Sequence, residues 1–158
     1  MAMSHPAHAE QSKQPRVPFF VPLFNPVARR LLGSGIPLGP NALLTVRGRK
    51  SGLPRTTPVA LVDIEGRRWV IATFGDVNWA RNLRADPEAT ITIKGRAAKV
   101  RATELSVPER ASFFREVLGP YVRRIPLGSF LIGRILGARE ILTDPEGAAR
   151  KHPVFELA

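Results

Sequence analysis

The chain contains no cysteine. That absence excludes disulfides, thiolate metal sites and a catalytic thiol, and it suits a reducing compartment. The only histidines, His5, His8 and His152, form no spaced ligand set, so no metal site is expected. No stretch reaches the ~20 apolar residues that a membrane-spanning helix requires. Residues 1–16 are polar and lack the apolar core of a signal peptide. They read as a disordered tail, and residues 17–158 as one domain. Also missing are a G-x-S-x-G elbow, an H-E-x-x-H pair and a G-x-G-x-x-G loop after a strand. No histidine sits in the middle of the chain to act as a base. Asp63, Asp76 and Glu104 are scattered acids best explained as structural. Such a chain catalyses only if a bound cofactor carries the reaction.

Acidic residues are scarce. The 13 Asp and Glu face 24 Lys and Arg, a net charge of +11. A field of that sign concentrates anions, whether nucleic acid, anionic lipid or a polyanionic cofactor. Few aromatics interleave with the basic clusters, which argues against stacking on single strands, and no nucleic-acid partner is expected. With 158 residues and 44% hydrophobic content, the chain suits a single globular domain that buries about two-thirds of its unfolded surface.

Periodicity and turn signals predict the elements. Val17 to Pro26 is apolar but broken by Pro18, Pro22 and Pro26, so it cannot start as a regular helix. One or two helical turns are expected over 26–33. Strands are expected over 42–47, 56–63 and 68–74, the last two joined by the Glu65-Gly66 turn. Asp76 is expected to cap a short helix that Asp86-Pro87 stops. Two more strands follow, 89–93 and 97–105, joined at Lys94-Gly95. Ser106-Val-Pro-Glu109 is a capping box, which predicts a helix from Val107 to Leu118 ending at Gly119-Pro120. A glycine-weakened helix over 127–136 and a sixth strand over 139–143 complete the pattern. Val154, Phe155 and Leu157 of the tail are expected to dock on the body. Short sequential strands joined by tight turns favour an antiparallel sheet, and closing that sheet into a barrel removes its exposed edges. The expected class is mainly β (α+β), with about six antiparallel strands and a few flanking helices.

Two windows carry the chemistry. In Arg47-Gly-Arg-Lys-Ser-Gly-Leu-Pro-Arg-Thr-Thr-Pro58, four cations (Arg47, Arg49, Lys50, Arg55) lie within nine residues between two strands. Gly48 and Gly52 permit close backbone approach, and Ser51 and the loop amides can donate to phosphate oxygens. A solvated basic turn has the same composition, so the window alone leaves both readings open. It lacks the Walker spacing and no helix follows it. In the second window, Ala72 to Arg84, a strand runs through Gly75 into a helix N-terminus, which favours anions. Asn78 and Asn82 supply amides, Trp79 an aromatic face and Arg84 a cation, although Trp79 packed on Leu83 as core is an equally ordinary arrangement.

The motifs Gly48-Arg-Lys-Ser-Gly-x-Pro-Arg-x-x-Pro58 and Asn78-Trp-x-x-Asn-Leu-x-Ala-Asp-Pro87, together with the ending His152-Pro-Val-Phe, resemble the deazaflavin-dependent nitroreductase family over roughly residues 40–158. The resemblance implies a split β-barrel and the cofactor coenzyme F420, an 8-hydroxy-5-deazaflavin that in its reduced form passes a hydride to nitro groups, quinones or activated double bonds. It implies that Arg49, Lys50, Ser51, Gly52 and Arg55 grip the phosphate and glutamyl tail. Thr57 and Pro58 would touch the deazaflavin side, and Ala72, Thr73, Phe74 and Gly75 would line the ring. Asn78, Trp79, Asn82 and Arg84 would complete the pocket. F420 carries a phosphodiester and several carboxylates, which suits arginine-rich contacts.

This chain departs from the better-known nitroreductases, which have Ser-Lys-Gly in place of Phe74-Gly75-Asp76 and several C-terminal tyrosines where it has only Tyr121. The Gly-Asp-Val-Asn-Trp form resembles a branch associated with membranes and fatty-acid-like ligands. The expected reaction is hydride transfer to an apolar acceptor: a quinone, an unsaturated fatty acyl compound or a nitro compound. The last proton is expected from solvent, Tyr121 or the cofactor hydroxyl. Rival readings are an FMN-binding oxidoreductase on the same barrel and a non-enzymatic carrier of lipid or cofactor. A cytoplasmic location and a homodimer are expected. Phe19, Phe20, Leu23 and Phe24 beside Arg16, Arg29 and Arg30, and the apolar stretch from Leu127 to Leu142, suit peripheral contact with anionic lipid.

Overall fold

The computed structural model describes residues 40–126 and 139–158. The expected tail, the turns over 26–33, the helix over 127–136 and nearly all of both apolar segments lie outside those residues.

Six antiparallel strands close into a barrel: β1 (Pro40–Arg47), β2 (Pro54–Ile64), β3 (Arg67–Ile71), β4 (Glu88–Ile93), β5 (Arg96–Glu104) and β6 (Val154–Leu157). Their order around it is β1-β2-β3-β6-β5-β4. The β2–β3 hairpin turns at Glu65-Gly66 and the β4–β5 hairpin at Lys94-Gly95, each with positive φ at both residues, the conformation whose twist matches the flanking strands. Alternation sets the two faces. Leu44, Val46, Leu61, Val70, Ile91, Phe155 and Leu157 point into the barrel. Val62, Trp69, Ile71 and Val154 point outward into a second core formed with the helices.

Those helices are α1 (Asn78–Ala85), α2 (Val107–Ser112), α3 (Gly119–Arg124), α4 (Glu140–Thr143) and α5 (Pro145–Lys151). α1 plugs the barrel, with Ala80 and Leu83 in the interior core. The others lay Phe113, Phe114, Leu118, Val122, Ile141 and Ala148 against the outer face of β2, β3 and β6, and the Trp69 and Phe113 rings meet at 5.1 Å. The expected capping box is present: Ser106 accepts from the Glu109 amide at 3.4 Å, and the Glu109 carboxylate accepts from the Ser106 amide at 2.7 Å.

The fold corrects four local expectations. The helix from Val107 does not end at Gly119-Pro120. It widens into a π-helical stretch over Phe113–Leu118, where the Gly119 amide donates to the Phe114 carbonyl, and α3 continues from it. The wider turn absorbs a proline that would otherwise clash with the carbonyl four residues back. Residues 140–143 are helical rather than a strand, because the Asp144 amide closes a turn on the Glu140 carbonyl at 2.7 Å and Ile141 is needed in the helical core. The sixth strand is instead the tail, Val154–Leu157, between β3 and β5. Asp76 does not cap α1. Val77 occupies that position without a side-chain bond, and Asp76 pairs with Arg81 and Arg84.

Candidate functional site

β1 leads into the basic loop at one end of the barrel, and the loop returns into β2. Within it the Gly48 amide donates to the Leu53 carbonyl at 2.8 Å and the Gly52 amide to the Gly48 carbonyl at 2.7 Å. Ser51 Oγ accepts from the Leu53 amide at 3.2 Å. A Cβ at Gly48 would stand 2.7 Å from Ser51 Oγ and 3.2 Å from the Leu53 carbonyl, so a side chain there would displace Ser51 and crowd the turn.

The loop is docked onto α1 through Arg49. Asn82 is buried, and its Oδ1 accepts from both the Arg49 amide at 3.2 Å and the Arg49 guanidinium at 2.8 Å. The same guanidinium reaches the Asn78 carbonyl and side-chain oxygen at 3.5 and 3.4 Å. The fold therefore brings the two windows together, 33 residues apart in sequence. It also sorts their cations. Arg84 donates to both Glu104 oxygens, at 2.6 and 2.8 Å, and pairs with Asp76. Arg81 pairs with Asp76 at 2.9 Å. Hydrogen bonds from Arg84 hold the Glu104 and Asp76 carboxyls below their usual range, and Arg81 adds to the effect at Asp76. Among the described residues nothing engages the exposed side chains of Lys50 and Arg55. Arg47, at the end of β1, is likewise exposed and without a side-chain partner among the described residues.

Beside the loop lies an apolar recess lined by Pro58, Ala60, Ile71, Thr73, Phe74 and Trp79, among others. Pro58 is three residues along β2 from Arg55, about 10 Å at strand rise. Ala72, also expected at the ring, belongs to the lining as well. Trp79 packs on Phe155 of β6 at 5.8 Å, which makes it one wall of the recess and part of the core. Gly75 shapes the turn behind it with φ +84°. Thr57 is half-buried on β2. Tyr121 packs with the helical core and is not part of the recess lining.

The amides expected to face a ring are only partly available. Those of Thr73, Gly75 and Val77 donate to Ile71, Ala72 and Gly75 carbonyls at 3.0, 3.1 and 2.8 Å, which leaves the Phe74 and Asp76 amides without an acceptor in the described chain. A residue not expected at the site, His152, holds this wall from behind. It is buried, with Nδ1 3.3 Å from the Ala72 carbonyl and Nε2 3.1 Å from a Glu140 oxygen. The Pro153 carbonyl accepts from the Ala72 amide at 2.8 Å. The Glu140 carboxyl is held below its usual range by its own helix N-terminal amide first and His152 second. The signal for this role was the ending His152-Pro-Val-Phe. Its spatial partner, Ala72, lies 80 residues earlier.

Unengaged cations on a glycine-tight loop next to an uncharged recess suit a ligand with a polyanionic tail and a flat apolar head, and F420 is such a molecule. Comparison with solved structures finds similar chains. An F420-H2 dependent reductase (FDR-A) is 25% identical, with a TM-score of 0.51 over 75% of this chain and 94% of that one. A structure described as a domain-swapped dimer is 21% identical (TM-score 0.49; 87% and 98% covered). General Stress Protein 26 from Bacillus anthracis is 9% identical (TM-score 0.48; 82% and 87% covered). The sequence pattern of F420H(2)-dependent quinone reductase matches residues 27–123, which include both windows and more than half of the chain. The chain belongs to the F420H(2)-dependent quinone reductase family, and is an F420-dependent oxidoreductase on a six-stranded barrel.

Proposed function

We propose that the loop and the recess form one cofactor cleft, in which Lys50 and Arg55 take the phosphate and carboxylate tail of F420 and the recess takes its ring, for hydride transfer to an apolar acceptor. The observation that carries this reading is that Lys50 and Arg55 have no partner among the described residues while Arg49 and Arg84 are committed within the chain. Arg49 and Asn82 then act by positioning the loop, and Arg84 by fixing α1 to β5 and the Asp76 turn. Ser51 and Gly52 shape the loop, and Thr57, Pro58 and Ala72 to Gly75 border the ring with Trp79 behind it.

When bound, reduced F420 supplies a hydride, two electrons and one proton. The protein holds the two reactants close together and excludes water from the recess. The unpaired Phe74 and Asp76 amides offer donors for negative charge developing on the acceptor. A second proton completes the reduction of a quinone, nitro group or unsaturated acyl compound. Tyr121 packs elsewhere, which leaves solvent or the cofactor hydroxyl as the source of that proton.

A binding titration tests the cleft. F420 is expected to bind more tightly than FMN or FAD. Lys50→Ala with Arg55→Ala should weaken F420 binding and flatten its salt dependence, because two screened attractions are lost. Equal or tighter FMN binding overturns the reading, as does unchanged affinity in the double variant.

Two associations accompany this proposal. The outward face of β1 and β4, where Thr45, Thr90 and Thr92 point away from the barrel core, is covered by none of the helices in the helical core and suits a second copy of the chain. A mass in light scattering that stays monomeric at all concentrations refutes it. The apolar and arginine-rich segments over 17–32 and 127–142 suit an anionic membrane surface. No described helix is long and apolar enough to cross a membrane. Absence of co-sedimentation with anionic vesicles at low salt refutes the surface contact.

A further inference from the structure

The geometry points to Phe74 as the residue that selects the acceptor: its ring is the outer platform on which a planar quinoid or aromatic acceptor stacks at the mouth of the recess. The inference rests on the reading of the cleft as a hydride-transfer site and adds the identity of its acceptor side.

Phe74 is 79% exposed, more than any other large hydrophobic residue described. It nevertheless belongs to the lining of the recess. An exposed aromatic that also lines an apolar hollow is placed to touch what the hollow binds. The exposure does not come from a fraying loop. The turn that carries Phe74 is held at both ends. The Ala72 amide and carbonyl engage the Pro153 carbonyl and His152, and the Thr73, Gly75 and Val77 amides are all bonded within the turn. Gly75 adopts φ +84°, where a side chain would be strained, and a Cβ there would meet the Lys151 carbonyl at 3.6 Å. The backbone thus fixes where the Phe74 side chain leaves the turn.

The lining names the partner's chemistry. Pro58, Ala60, Ile71, Val77 and Trp79 offer apolar surface. None of the described lining residues is charged, whereas the loop carries Lys50 and Arg55, so the two ends of the cleft favour different chemistry. Aromatic rings in offset or edge contact gain attraction beyond their buried area, which an acyclic chain does not obtain. The Phe74 amide, without an acceptor in the described chain, provides a donor suited to a ring carbonyl.

The test compares the wild type with Phe74→Ala, Phe74→Leu and Phe74→Tyr. For each, F420 affinity is measured by cofactor fluorescence. Binding of 2-methyl-1,4-naphthoquinone to the cofactor-free protein is measured by tryptophan quenching, and KM is compared for that quinone and for an acyclic enone. The Ala and Leu variants should bind the quinone about five- to tenfold more weakly and raise its KM to match, the size of one lost aromatic contact. Tyr should restore both. Because Phe74 also borders the cofactor ring, F420 affinity is read separately, and at saturating F420 the ratio of quinone KM to enone KM should rise about five- to tenfold. Quinone binding unchanged in the Ala variant, or a Leu variant as good as wild type, overturns the inference. If the wild type fails to bind F420, the hydride-transfer reading falls, and the quenching series alone decides the role of Phe74.

Discussion

Replacing Asn82 with alanine tests whether the basic loop is held in place or merely lies in place. In the native chain one buried oxygen takes two donors, the Arg49 guanidinium at 2.8 Å and the Arg49 amide at 3.2 Å. A hydrogen bond to a charged group contributes about 1.5–3 kcal/mol and a neutral one about 0.5–1.5 kcal/mol. The Arg49 side chain is solvent-exposed, so screening and re-hydration favour the lower half of both ranges, and the loss is about 2 kcal/mol. For a chain of this size each kcal/mol moves Tm by about 2–4 °C, so the variant should melt about 4–8 °C lower. Hydrogen exchange should then localise the damage. The Gly48 and Gly52 amides, bonded inside the loop, should lose protection, while those of β3 and β6 keep theirs. If docking presents Lys50 and Arg55 to the cofactor, F420 affinity should fall by up to about 30-fold, the same energy expressed as binding. Asn82→Asp keeps the acceptor oxygen and should recover most of both losses. An unchanged Tm with unchanged exchange at Gly48 and Gly52 refutes the clamp. A lowered Tm with unchanged F420 affinity separates the clamp from the cofactor site.

Two further outcomes follow from the packing and the charges. Glu104 has a depressed folded-state pKa because Arg84 bonds its charged form, so its contribution is present above the ordinary value of 4.5 and is lost as pH falls through the lower folded value. Glu104→Gln should therefore cost about 1–2 kcal/mol at pH 7 and much less once both proteins are titrated at acid pH, as read by urea denaturation at each pH; an equal cost throughout refutes the assignment. Phe155→Ala should cost about 3–5 kcal/mol, because the residue is fully buried against Trp79 in the strand that closes the barrel, and a cost below about 1 kcal/mol in denaturant melts would show that β6 is not needed for closure.

What the sequence made legible was local. Both hairpins, the capping box at Ser106 and the strand positions up to Glu104 follow from alternation and turn chemistry, which short windows record. The errors fall where a distant partner decides. Residues 139–143 read as a strand because isoleucine, leucine and threonine favour one, yet Ile141 belongs to a helical core assembled from β3, the helices after β5 and the tail. Val154 to Leu157 is too short to announce itself as a strand. It becomes one because β3 and β5 each present an unpaired edge that only a sixth strand can satisfy. Gly119-Pro120 reads as a stop, and its cost is avoided by a π-helical widening that no propensity scale anticipates.

The candidate site shows the same division, with a consequence for how its charge is interpreted. The motifs located the residues, but composition could not say which cations face a ligand. A net charge of +11 and an arginine-rich pair of windows treat Arg49, Lys50, Arg55, Arg81 and Arg84 alike. The fold divides them by the acceptors within reach: Asn82 takes Arg49, Asp76 takes Arg81, and Asp76 with Glu104 takes Arg84. The committed arginines fix a loop, a helix and a turn to one another. Lys50 and Arg55, uncommitted among the described residues as Arg47 is, stand on the loop so fixed, at the end of a strand that leads about 10 Å to the recess. In the proposed cleft, positioning and recognition fall to different members of one basic cluster. Neutralising a committed arginine should act through stability and loop order, and neutralising Lys50 or Arg55 should act through the salt dependence of cofactor binding alone.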